Sequence, residues 1–460
     1  MLNEPRPETA ILSLDEAFYD PVEPARFPQH VLRFRNDRAA AEVGLAGLSD
    51  EHWTARFAAF EPLPGSLAKP LALRYHGHQF GSYNPEIGDG RGFLYAQLRD
   101  ARGRLMDLGT KGSGRTPYSR FGDGKLTLKG GVREILATEM LEALDVPTSR
   151  SFSLVETGEA LTRGDEPSPT RSAVLVRLSH GHIRIGTFQR LAYFGDEANM
   201  RRLVDYCLRE LHEVEPEEHA PAQLLRLVAD GCARLVASYM AAGFVHGVLN
   251  TDNIAITAES FDYGPWRFTP KWDPEFTAAY FDHAGRYAFA RQPGAIHWNL
   301  AQLAMSLSLL APVEELAPAL EAFPVRFQAE LAASLLRRLG VAPGSPEDDL
   351  AVANKLDEVL LESGAEIDRF FFDWRGGAPR RDAGAYAHPC FAKLRDALVG
   401  RAAAPGALDH AYWADDAPCS MHIEEVEALW AAIDERDDWG PLHAKVAGMR
   451  RMGEALGAAA

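Results

Sequence analysis

The feature that most narrows the fold is a change of periodicity part-way along the chain. From "LALRYHGHQFGSYNPEIGDGRG" onward, glycines punctuate short apolar runs, the pattern of strands joined by tight loops. "GFLYAQLRD", "RGRLMDLGTKG", "SFSLVETG" and "RSAVLVRLSHGHIRIGTFQRL" read as strands or hairpins. One helix interrupts them, "GGVREILATEMLEALDV", whose Val132, Ile135, Leu136, Met140 and Leu144 recur near a 3.6-residue period. After about residue 197 the pattern turns helical. In "LLRLVADGCARLVASYMAAG", residues Leu224, Leu227, Val228, Cys232, Leu235, Val236, Tyr239 and Met240 form one apolar face, and Gly243 is a natural stop. "PEDDLAVANKLDEVLLESG" and "IEEVEALWAAIDERDD" continue the helical texture. The expected class is α+β in two lobes. An N-terminal extension (1–65) of extended chain and short helices precedes a strand-rich lobe (66–210) and a mostly helical lobe (211–460).

The charge balance limits the partners. A net charge of −17 over 460 residues argues against general nucleic-acid binding, which demands a basic surface, but leaves room for a local basic pocket. Cys207, Cys232, Cys390 and Cys419 form no C-x-x-C pair and read as reduced thiols. The start "MLNEPRPETAILSL" lacks a basic-then-apolar signal pattern. The most apolar stretch, "LAQLAMSLSLLAPV", is too short to span a bilayer and reads as a buried helix. The expectation is a cytoplasmic protein with neither membrane nor nucleic-acid partners.

The chemistry-bearing residues fall in five places. "IGDGRG" sets Gly88, Gly90 and Arg91 between strand-like runs, where backbone amides and a guanidinium can approach phosphate; a plain hairpin turn is the competing reading. Lys111 ends a strand and Glu134 lies on the next helix, the spacing of a kinase ion pair that steers lysine onto phosphates. "KGSGRTPYSRFGDGKL" gathers glycines, cations and Asp123-Gly124 into a second candidate cradle. Arg177 and Arg184 flank the turn "SHGH" and are expected to converge across a hairpin on one anion. His180 and His182 in that turn lack a third ligand at metal-binding spacing.

The fifth place is "FVHGVLNTDNIAI". Kinase catalytic loops read H-R-D-L-x-x-x-N, with the Asp as proton acceptor and the Asn on a metal. Here His246 and Asn253 keep that separation, Val248 holds the acid's position, and an acid stands instead at Asp252. "FDYG" places Asp262 where D-F-G would put a metal-binding Asp. Asn and Asp oxygens suit Mg²⁺, and Asp252 beside them can accept a proton from an attacking hydroxyl.

With "YHGHQFG", "DLGTKGSGRTPYSRFGDGKLTLKGGVREIL", "VRLSHGHIRIGTFQ", "HGVLNTDN", "FDYGP" and "FDHAGRYAFARQP", the chain resembles the selenoprotein O family, also called YdiU or UPF0061, over roughly residues 65–310. The resemblance implies a protein-kinase-like fold. It also implies an activity in which ATP sits reversed and AMP passes to Ser, Thr or Tyr hydroxyls of proteins with Mg²⁺ or Mn²⁺, and UMP from UTP with Mn²⁺ in bacterial relatives. It implies nucleotide contacts at Gly88, Gly90, Arg91, Lys111, Asp123, Gly124, Arg177, Arg184 and Asp262. Glu134 is then the partner of Lys111, Asp252 the proton acceptor, and Asn253 and Asp262 the metal ligands. An atypical kinase using the γ-phosphate and an inactive nucleotide-binding scaffold are the alternatives. The redox-active Cys or selenocysteine motif of many members has no counterpart in "RRMGEALGAAA", nor is the family's usual Asn-Pro/Arg-Asn stretch found beyond about residue 400.

Overall fold

A computed structural model describes all residues except 1, 3, 165, 382, 383 and 458–460. The strands are β1 (Pro7–Glu8), β2 (Tyr19–Pro21), β3 (Val31–Arg35), β4 (Leu71–Leu73), β5 (Gly77–Gln79), β6 (Ser82–Asn84), β7 (Leu94–Arg99), β8 (Leu105–Lys111), β9 (Leu126–Thr127), β10 (Arg150–Leu161), β11 (Thr170–Ser179), β12 (Phe244–Val245) and β13 (Arg267–Phe268). The main sheet runs β2-β4-β7-β8-β11-β10-β3, with β1 on β7 and β9 on β11, and every pairing is antiparallel. The helices are α1 (Asp37–Glu42), α2 (Asp50–Phe57), α3 (Leu128–Ala143), α4 (Ile185–Phe194), α5 (Glu197–Tyr206), α6 (Ala220–Ala242), α7 (Gln292–Leu307), α8 (Val313–Leu339), α9 (Pro346–Ser363), α10 (Ile367–Asp373), α11 (Cys390–Ala397), α12 (Ile423–Arg436) and α13 (Gly440–Leu456). The class is the expected α+β arrangement, with a strand-rich N-terminal region, a helical C-terminal region and the expected pair of a strand lysine, Lys111, with a helix glutamate, Glu134.

Both faces of the sheet are covered, which explains why β11 reads as a nearly continuous apolar run. Val174, Val176 and Leu178 point to one face and pack with Trp53 and Phe57 of α2. Ala173 and Leu175 point to the other, where α3 lies. Arg177 shares that second face by the two-residue period of a strand, so the alternation itself delivers its side chain to the cleft. The N-terminal segment is more than an extension: its strands β1, β2 and β3 hydrogen-bond to β7, β4 and β10, and its helices α1 and α2 close the outer face.

Local signals set the helix ends. Thr127 caps α3 by accepting a hydrogen bond from the Gly130 amide. Gly243 ends α6 in the left-handed conformation, as its place after the apolar face predicts. One expectation fails. "RSAVLVRLSHGHIRIGTFQRL" is not a hairpin: β11 ends at Ser179, and Arg184 is the cap residue of α4. Residues 183–185 pair only briefly with the chain after the catalytic loop, through Ile185 N to Ile254 O and Ile256 N to Ile183 O. Alternation over so few residues cannot be told from the entry to a helix.

The last two helices fold back onto α3. The Arg450 guanidinium on α13 makes two bonds to the Glu139 carboxylate, at 2.8 and 2.6 Å, and that carboxylate's side chain is 2% exposed. A Cβ on Gly453 would come within 3.1 Å of Ala143 Cα, so glycine permits this close helix approach. Because α3 also carries Glu134, the C-terminal helices brace the helix that holds the site's ion pair.

Candidate active site

A cavity of about 720 Å³ opens between the sheet and the helical region. Its lining includes Gly88, Gly90, Arg91, Lys111, Asp123, Gly124, Arg177, Arg184, Asp252 and Asp262. The remaining two expected residues lie just behind it: Glu134 touches Lys111, and Asn253 follows Asp252 in the chain.

Lys111 closes β8 and is buried. Its ammonium pairs with Glu134 Oε1 and sits 2.8 Å from Asp262 Oδ1. Glu134 is fully buried, and its second oxygen has no hydrogen-bond partner among the described residues. Arg177 Nη1 lies 3.4 Å from the same Asp262 oxygen. Burial works to raise the Asp262 pKa, but Lys111, Arg177 and Arg91 together hold it well below the usual carboxylate range. Asp262 is therefore a committed anion at any ordinary pH. Its backbone takes φ +65°, a left-handed conformation that Asp tolerates better than branched residues do.

Arg184 reaches the cleft from its helix cap instead of from a strand. It donates to the Asp252 carbonyl at 3.0 Å and to Asp89 Oδ1 at 3.2 Å. Its guanidinium packs over Tyr75 and Phe261, at 4.3 and 4.9 Å. Arg177 also approaches the Phe261 ring, at 5.8 Å. The two arginines thus meet, as expected, by a different backbone route.

Asp252 has a distinct character. It is 9% exposed, and its Oδ1 has no hydrogen-bond partner among the described residues. Its Oδ2 receives a long 3.4 Å contact from Gln79. Burial pushes its pKa up to about 6, against the opposing pull of Arg184. A carboxylate held in reserve near neutrality, with one free oxygen, is suited to accept a proton. The catalytic loop is fixed from behind: His246 bonds the Phe261 carbonyl at 3.0 Å, and Asn253 donates its amide nitrogen to Val248 O at 2.9 Å. Val248, standing where a kinase has its acid, contributes its backbone.

The glycine loops have packing reasons as well. The Tyr118 ring lies over Gly88, where a Cβ would come within 2.4 Å. Gly124 sits at φ +71° against the Gly114 backbone, which draws the second loop together. Asp123 is already engaged, bonded by both Nη atoms of Arg163 at 2.8 and 3.1 Å.

Several residues went unread in the sequence: Asp89 and Tyr75 beside Arg184, Arg163 on Asp123, and Gln79 on Asp252. The "YHGHQFG" string held Tyr75 and Gln79, but no spacing rule tied it to the catalytic loop. Asn253 and Asp262 carry oxygen donors of the hard type that suits a divalent cation, and Asp252 Oδ1 has no partner among the described residues.

Residues 3–380 match the family model described as protein adenylyltransferase SelO. The protein nucleotidyltransferase YdiU of Gloeobacter violaceus is 44% identical over 465 aligned residues, covering 96% of this chain and 95% of its own. That of Synechococcus elongatus is 49% identical over 371 residues, covering 79% and 74%. A rhoptry antigen kinase domain from Toxoplasma gondii aligns with 64% of this chain and 84% of its own at 11% identity, with a TM-score of 0.27 too low to bear on the site.

Proposed function

The chain belongs to the SelO protein adenylyltransferase family, and on that premise we propose that it moves AMP from ATP to Ser, Thr or Tyr hydroxyls of proteins, releasing pyrophosphate. The observation that carries this reading is the free, buried Oδ1 of Asp252 in one cavity with Lys111, Arg177 and Arg184.

The substrate hydroxyl gives its proton to Asp252 while its oxygen attacks the α-phosphorus. The bond from that phosphorus to the bridging oxygen breaks, and pyrophosphate leaves. Lys111, Arg177 and Arg184 offset the charge that accumulates on the leaving group, the largest electrostatic task in such a step. For this the triphosphate lies reversed relative to a kinase, its innermost phosphorus toward Asp252. Gly88, Gly90, Arg91, Asp123 and Gly124 hold the rest of the nucleotide, and Glu134 keeps Lys111 extended into the cleft. Asn253 and Asp262 would hold the divalent ion, Mg²⁺ or Mn²⁺. When bound, it neutralises phosphate oxygens. UTP with Mn²⁺ is a second donor under the same geometry, because the transfer step engages the phosphates and not the base.

The test is incubation with ATP, Mg²⁺ or Mn²⁺ and a bacterial lysate, followed by peptide mass measurement. Adenylyl increments with pyrophosphate release are expected. Phosphate increments with ADP release would overturn the reading.

A further inference from the structure

Six large aromatic side chains stand out as exposed among the described residues: Phe80, Phe121, Tyr193, Phe194, Tyr280 and Phe281. Phe80 sits on the β5–β6 hairpin, and Tyr193, Phe194, Tyr280 and Phe281 form ring clusters on either side of it. Phe121 lines the cavity itself. Phe80 is at the tip of the β5–β6 hairpin and meets the rings of Phe281 and Tyr287 at 5.6 and 5.1 Å. Tyr280 continues this cluster at 5.1 Å from Phe281. On the hairpin's other strand, Tyr83 stacks with Tyr193 at 5.8 Å, and Tyr193 meets Phe194 at 5.1 Å. Scattered exposed apolar residues need no explanation, but a contiguous exposed set marks an interaction surface.

The hairpin is also keyed to the catalytic loop residue by residue. The His78 amide donates to Thr251 Oγ1 at 2.7 Å, the Gln79 side chain reaches Asp252 Oδ2 at 3.4 Å, and the Phe80 amide donates to Asn250 Oδ1 at 3.0 Å. A Cβ on Gly77 would come within 3.2 Å of Asp252, so the root of the hairpin abuts the acid. Whatever rests on Phe80 and Phe281 is therefore held in register with the proton acceptor.

We propose that the β5–β6 hairpin and the Tyr280–Phe281 loop form the docking platform for the acceptor protein, and that they select a segment whose hydroxyl residue is flanked by apolar side chains. The proposal rests on the adenylyl-transfer reading, which requires a protein hydroxyl to reach Asp252 at the cleft mouth. The cavity beyond is lined by charged and glycine residues suited to the triphosphate, whereas the shelf at its mouth is aromatic. This division matches a polar donor inside and an apolar acceptor segment outside. Arg286, whose guanidinium lies 5.1 Å from the Trp298 ring, and Arg190, 5.2 Å from Phe194, supply the cationic edge of the shelf. Burying one Leu side chain there is worth roughly tenfold or more in affinity.

The experiment uses the full chain with labelled ATP and Mg²⁺. Two synthetic peptides of equal length and charge each carry one serine, flanked by Leu in the first and by Gln in the second. The wild type should modify the Leu-flanked peptide with a kcat/KM at least about tenfold higher. Tyr280→Ser and Phe281→Ser each change an exposed loop side chain, and they should erase that preference while ATP affinity by calorimetry stays unchanged. Equal handling of the two peptides by the wild type, or a preference that survives both substitutions, overturns the platform. A loss of ATP affinity with the preference intact assigns the shelf to the nucleotide base and also overturns it. Absence of pyrophosphate release with any acceptor would instead strike the transfer reading, so the two failures are distinguishable.

Discussion

Replacing Lys111 by Met isolates the physics of the buried pair. In the native protein the Glu134 side chain is 0% exposed and that of Lys111 5%, so neither charge has water to fall back on. Glu134 Oε2 already lacks a partner among the described residues, and the substitution would strip Oε1 as well. Removing one member of a buried pair leaves an uncompensated charge and costs about 3–5 kcal/mol. Replacing both members by apolar residues of similar size removes the Glu134 charge, while Asp262, which also loses Lys111, keeps Arg177 and Arg91 as counter-charges. Lys111→Met with Glu134→Leu should therefore recover all but about 1 kcal/mol. The assay is urea unfolding followed by tryptophan emission and far-UV circular dichroism, whose coincidence licenses a single free energy. Transfer activity should be absent from both proteins, since the phosphate-facing ammonium is gone from each. A single substitution costing under about 1 kcal/mol, or a double substitution as unstable as the single, would refute the reasoning.

Three further outcomes follow from the same geometry. Asp252→Asn should lower transfer by roughly a hundredfold or more while ATP affinity by calorimetry is retained, and undiminished turnover would remove Asp252 from the proton-accepting role. Arg450→Ala leaves the buried Glu139 without its counter-charge, held only by a long 3.4 Å bond from Asn36 among the described residues, and loosens α3; it should cost roughly 2 kcal/mol, discounted for the part-exposed arginine, and lower kcat, with partial rescue by Arg450→Lys. Burial holds the His180 pKa down to about 4, against an ordinary value of 6.5. Between these values the unfolded chain binds the extra proton, so this residue's contribution is intact above the ordinary value and is lost as pH falls toward about 4. His180→Gln should flatten the acid-side fall in unfolding free energy by up to about 3 kcal/mol, and an unchanged slope would contradict the assignment.

What could be read from the chain was what is local. Lys111 closes a strand and Glu134 lies on the next helix, only 23 residues on, so spacing and periodicity bring them together on paper. Asp252, Asn253 and Asp262 occupy a short loop with a familiar order. What escaped depends on contacts distant in sequence. Gln79 meets Asp252 across 173 residues, Arg184 meets Asp89 across 95, and Arg450 meets Glu139 across 311. No period or cap signal encodes such pairings. Arg184 was misplaced because "HIRIGTF" alternates for too few residues to separate a strand from a helix entry. The first strands were hidden because they are two to five residues long and gain meaning only from the partners they pair with.

The central claim is the orientation of the nucleotide, and a structure of the protein with a non-hydrolysable ATP analogue and Mg²⁺ tests it most directly. The α-phosphorus should lie nearest Asp252, with the β- and γ-phosphates against Lys111, Arg177 and Arg184. A γ-phosphorus in that position, with the base at the opposite end, would contradict the account and make the chain a phosphate-transferring enzyme.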